Sequence, residues 1–145
     1  MFKKLSITLI FFLTLLLTTV ALGATTWTVA NQSTVGWDAV TKLADDTPIP
    51  AGDTVTYRVH IKKDGTAGDG TQLTETAALE YTITFTAEGR WLIGIQAVRA
   101  PEANPEDLQK STIIWSDNAD PLLVPVPFGF IYYLTPAEPG GFGPK

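Results

Sequence analysis

Three stretches of the chain alternate apolar and polar residues with a period of two, the pattern of strands with one buried face. In "TVTYRVHIKK" the residues Val55, Tyr57, Val59 and Ile61 fall on one side, with Thr56, Arg58, His60 and Lys62 on the other. "LEYTITFT" sets Leu79, Tyr81, Ile83 and Phe85 against Thr82, Thr84 and Thr86. "RWLIGIQAVR" places Trp91, Ile93, Ile95 and Ala97 together and leaves a mixed second face of Leu92, Gly94, Gln96 and Val98. "TWTVA" and "STVGWDA" predict two shorter strands nearer the start, carrying Trp27, Val29, Val35 and Trp37. A closing strand is expected at "FGFIYYL", where Phe128, Phe130, Tyr132 and Leu134 alternate with Gly129, Ile131 and Tyr133. After residue 23 no segment sustains a helical period, so the prediction is an all-β domain.

The connections agree with that reading. "DDTPIPAGD" is rich in turn residues, and "KDGTAGDGT" holds two Asp-Gly pairs suited to the positive backbone angles of tight hairpins. "APEANPEDLQK" is a longer acidic loop. "PLLVPVP" is apolar but carries Pro121, Pro125 and Pro127, which cannot donate to a sheet ladder, so it reads as extended loop. The prolines and the shortness of the run also exclude a membrane-spanning helix there.

Residues 1–23 stand apart. "MFKK" is basic, "LSITLIFFLTLLLTTV" is apolar, and "ALG" puts Ala21 and Gly23 where a signal peptidase reads small residues. The expectation is a secretory leader cleaved before Ala24, with an uncleaved anchor as the rival reading, since the run is about long enough to span a bilayer. Export would place the protein in the periplasm, at the cell surface or outside the cell, with no membrane attachment after cleavage. The remaining 122 residues (24–145) suit one domain, residues 24–135, followed by a Pro/Gly-rich tail at residues 136–145. Without Lys3 and Lys4 the formal charge is −7, with 8 basic against 15 acidic side chains. Such a balance argues against a nucleic-acid partner, whose phosphates need a basic footprint. The sequence has no cysteine, which excludes disulfides, thiolate metal sites, cysteine nucleophiles and a lipidated N-terminal cysteine.

In running order, "STVGWDAV", "VTYRVHI", "LEYTITF", "GRWLIGIQAVRA" and "STIIWSD" resemble a fibronectin type III domain, over about Thr26 to Leu134. Its landmarks are Trp37, Tyr57 and the aromatic-x-apolar-x-apolar-x-Ala run from Trp91 to Ala97. The resemblance implies a seven-stranded antiparallel Greek-key sandwich of immunoglobulin-like type, used for spacing, adhesion and binding, with no catalytic residues and no cofactor. Trp91 departs from the family's usual tyrosine, so ring packing and the indole N–H are expected to hold that corner instead.

Candidate chemistry is sparse. His60, the sole histidine, has Arg58 and Lys62 as same-face neighbours and reads as a solvated strand residue; catalysis or metal binding would need partners not seen nearby. Asp45, Asp46 and Asp53, or Asp64 with Asp69, offer loop oxygens for calcium, but without the spacing of a calcium loop. Asn31-Gln32-Ser33 fits the short N-glycosylation pattern. Trp37 and Trp91 are expected in the core, whereas Trp27 and Trp115 are candidates for stacking on sugar rings, with packing as the commoner role of strand aromatics. The resemblance implies that the third, sixth and closing strands share a sheet, whose outer face would then carry Arg58, His60, Lys62, Leu92, Gln96, Val98, Ile131 and Tyr133. That face is either a semi-apolar contact site or the bed on which residues 100–127 fold. The function expected is a non-catalytic structural or protein-binding module for another envelope or extracellular protein, with a polysaccharide-binding module as the alternative.

Overall fold

The computed structural model describes residues 24–136; the expected leader and all but the first residue of the tail lie outside them. Nine strands form, and no helix occurs among the described residues. They are β1 (Thr26–Val29), β2 (Gln32–Gly36), β3 (Thr54–Lys63), β4 (Thr71–Thr76), β5 (Glu80–Thr84), β6 (Gly89–Ala100), β7 (Gln109–Lys110), β8 (Ile114–Trp115) and β9 (Phe128–Tyr132). The all-β class is as the sequence predicts, but the count exceeds the seven expected.

A seven-stranded sheet runs in the order β1-β9-β6-β3-β4, with β7 and β8 also pairing β6; β2 and β5 make a separate two-stranded sheet. The long β3 and β6 form the antiparallel spine, in register from Thr54↔Ala100 to Lys63↔Trp91. Along its other edge β6 is met successively by β9, β8 and β7. β1 pairs β9 in parallel, which puts only Ala30 and Asn31 between the large sheet and the small one.

Alternation decides where the core sits. Val59 of β3, Ile93 of β6 and Phe130 of β9 meet Val35 of β2, Ile83 of β5 and the adjoining Phe85 in one buried cluster. The two sheets therefore face each other across a single apolar core, with Phe85 and Phe130 at 5.4 Å between ring centroids. Trp37 and Trp91 flank this cluster half-buried, short of the full burial expected for them. The Trp91 indole N–H donates to the Ala87 carbonyl at 2.9 Å, tying the ring to the turn before β6. Tyr57 reaches the segment after β2, its phenol oxygen accepting the Val40 N–H at 2.9 Å.

The hairpin from β3 to β4 follows from its glycines. Gly70 has φ +63°, and a Cβ there would stand 2.3 Å from the Ile61 carbonyl oxygen, so this close return needs glycine. The sequence pattern predicts neither β4, "TQLTET", nor β7, and "STIIWSD" contributes only the two residues of β8.

Candidate functional site: an apolar groove between the sheets

The small sheet covers only part of the large one. The uncovered part is a groove of about 580 Å³, walled by Trp37, Tyr57, Ile95, Ile114, Val124 and Phe128 among others. Volume and apolar lining fall in the range of small-ligand and peptide-anchor sites. Trp37 and Tyr57 meet in its wall at a 55° tilt with ring centroids 5.7 Å apart, and the Trp37 indole nitrogen is buried without a hydrogen-bond partner. Among the described residues, Asp38 is the sole charged one in the lining.

One lip is the proline-interrupted segment. Asp120 shapes it: its carboxylate accepts the Leu122 N–H at 2.9 Å, and its carbonyl accepts from Leu123 and Val124. Val124 is thereby turned inward and buried, while Leu122 is 91% exposed and Val126 65% exposed. Pro125 and Pro127 keep the lip from pairing as a strand. The chain rejoins the sheet where Phe128 N–H donates to the Ser116 carbonyl; Ser116 is itself buried and bound to Ile93 through both backbone and hydroxyl. Beside the groove Leu79 and Val40 add further exposed apolar surface.

The outer face of the large sheet, expected either as a contact site or as a bed for residues 100–127, is mostly closed. Leu92 and Val98 are 2% and 1% exposed, so neither is available to a partner. His60 is 7% exposed, not the solvated residue its charged neighbours suggest. Its position opposite Gly94 explains this in part, for β8 pairs with β6 there and the side chains before and within β8 reach across Gly94. A Cβ on Gly94 would stand 2.6 Å from an Ile113 methyl and 2.9 Å from the Trp115 ring. Residues from the 100–127 segment thus cover the centre of the face. The His60 Nδ1 lies 3.1 Å from the Asp69 carbonyl oxygen, which can only accept, so Nδ1 carries the proton; Nε2 is buried without a partner. No group of three or more metal-ligating side chains occurs among the described residues.

Arg58 spends its charge within the sheet, on Glu75 at 2.7 Å. That ion pair, with a hydrogen bond from Thr56, holds the Glu75 carboxyl below its ordinary value. Ile131 is half-buried beside Val29 and Arg90, and Tyr133, just past β9, is exposed. The loop carboxylates are committed too. Asp45 accepts from the Thr47 hydroxyl and N–H, which lowers its pKa. Asp53 accepts the Glu102 N–H and pairs with Arg99, and those contacts lower its pKa in that order. Asn31 is exposed in the link between β1 and β2.

Trp27 and Trp115 share the outer face of the large sheet, each laid on a glycine. A Cβ on Gly129 would stand 2.5 Å from the Trp27 ring, and the Arg90 guanidinium sits 5.0 Å from that ring's centre. Lys62 Nζ stands 4.1 Å from the centre of Trp115. Both rings are half-buried and serve as packing and as cation platforms.

The groove escaped sequence reasoning because no segment encodes it: it is the gap left where a two-stranded sheet faces a wider one. The available signal was "PLLVPVP", an apolar run that its prolines bar from the sheet interior. The chain matches no protein-family model, no curated protein and no solved structure.

Proposed function

We propose that this chain is a non-catalytic, exported binding module, a sandwich of fibronectin type III or immunoglobulin-like type, whose groove and lip take up part of another envelope or extracellular protein. The observation carrying this reading is the pairing of an apolar groove with leucine and valine held in water at its edge. Exposed apolar side chains of this size cost solubility and concentrate at contact sites. The strand order supports the fibronectin likeness: one sheet unites β3, β6 and β9, the other β2 and β5.

The test uses the exported chain as bait in envelope extract, beside a Leu122→Asp/Val126→Asp variant. Both residues are exposed, so the variant should fold with unchanged stability, within about 0.5 kcal/mol per site. A specific protein recovered by the parent and lost by the variant fits the reading. Equal recovery by both would remove the groove from it. The carbohydrate alternative has weaker support, because Trp27 and Trp115 each give a ring face to backbone and draw a cation. It predicts a tryptophan fluorescence shift with some polysaccharide; a flat response across a broad panel retires it.

A further inference from the structure

The groove is bordered by a sheet edge that no other described strand pairs. In the small sheet, Trp37 N–H donates to Leu79 and Phe85 N–H donates to Asn31, which fixes the odd-numbered residues of β2 as those bonded to β5. In an antiparallel pair the intervening residues direct both N–H and C=O away from the partner. Those of Thr34 and Gly36 therefore point off the β2 edge, and β2 pairs with no other strand among the described residues. Gly36, having no side chain, lines the groove with this backbone. Natural edges are blunted by lysine, proline or bulges; "QSTVG" has none of these, and its pairing with β5 runs without a register shift.

We propose that the groove's occupant is an extended strand of a partner protein, which pairs with the β2 edge at Thr34 and Gly36 and sends alternate apolar side chains between the sheets. This rests on the binding-module reading above and names its partner's chemistry. Strand addition of this kind takes its affinity from main-chain hydrogen bonds and its selectivity from pockets for every second side chain. The charges fit a strand with basic flanks: Asp38 lines the groove, Asp120 begins the lip, and no lysine or arginine is in the lining. The lip cannot fill the edge itself, since Pro125 and Pro127 lack the N–H groups a ladder requires.

The probe is a capped nine-residue peptide alternating valine and threonine between terminal lysines, titrated into the full chain and followed by amide-resolved NMR. Binding should slow exchange of the Thr34 and Gly36 amides by about tenfold or more, with smaller changes elsewhere on β2. Gly36→Pro removes the edge donor without touching a bond to β5, and a Cβ at Gly36 meets only the Leu79 carbonyl at an ordinary 3.5 Å. It should weaken the peptide by about tenfold or more, whereas Gly36→Ala, which keeps the N–H, should not. Equal binding to the proline variant, or amides unchanged on binding, overturns the proposal. A peptide that fails to bind while the neutral dye Nile red still enters the groove overturns the strand but leaves the groove reading standing. If dye and peptide both fail, the groove reading falls as well. A free chain that is already dimeric with Thr34 and Gly36 protected would show a second copy on the edge, and would also overturn it.

Discussion

Replacing Gly129 by alanine tests the outer face of the large sheet at one methyl group. The three atoms nearest a Cβ there all belong to the Trp27 ring, at 2.5, 2.8 and 2.9 Å. Ordinary contact begins near 3.4 Å, so the ring must move out by most of an ångström or β1 must shift on β9. Overpacking of this kind costs about 1–3 kcal/mol. Alanine recovers about 0.5–1 kcal/mol over glycine in a strand. The expected net loss is thus about 0–2.5 kcal/mol, so the double-mutant comparison and not the single value carries the test. Urea unfolding followed by circular dichroism reads this without relying on tryptophan emission. The same substitution in a Trp27→Ala background no longer meets the three ring atoms nearest that spot, and should be neutral or stabilising. A coupling of about 1 kcal/mol or more between the two sites is the signature. If Gly129→Ala is as stable as the parent in both backgrounds, Trp27 is not seated on Gly129 and the account of this face is wrong.

Two further perturbations probe the core and the charged loops. Ile83→Ala, at a residue 2% exposed between the sheets, should cost about 2–5 kcal/mol in the same unfolding assay; a cost under about 1 kcal/mol would mean the small sheet does not share the core. Asp53 and Glu75 have folded pKa values depressed below 3.8 and 4.5, so their contribution is complete above those values and fades as pH falls through the folded ones. Stability should therefore decline below about pH 4, and Asp53→Asn should show a shallower decline than the parent between pH 5 and pH 2 when urea midpoints are compared. An unchanged acid slope in that variant would remove the Arg99 and Glu102 contacts from the explanation.

Much of the large sheet is legible in the sequence because its strands are strictly two-faced. "TVTYRVHIKK" matches β3 residue for residue, and Val59, Ile83 and Phe130 fall on the faces their alternation assigns. β4 is illegible because "TQLTET" has one apolar residue; its strand character comes from the unpaired edge of β3 and the glycine-driven return before it. The burial of His60 was hidden for a similar reason. Its neighbours Arg58 and Lys62 are charged, but what lies over it is set by cross-strand partners far away in sequence. Gly94 and Gly129 held the missing signal, since an isolated glycine inside a strand often marks close approach by another group. Each has an indole against it, Trp115 on Gly94 and Trp27 on Gly129.

In the proposed function the groove between the sheets, and not the outer face, takes up the partner. Nile red titrated into the uniformly 15N-labelled chain tests it directly. Amide shifts should cluster at Val35, Trp37, Tyr57, Ile95 and Val124, and Leu122→Asp/Val126→Asp should abolish them. Shifts centred on His60, Gly94 and Trp115, or no saturable binding, would contradict it.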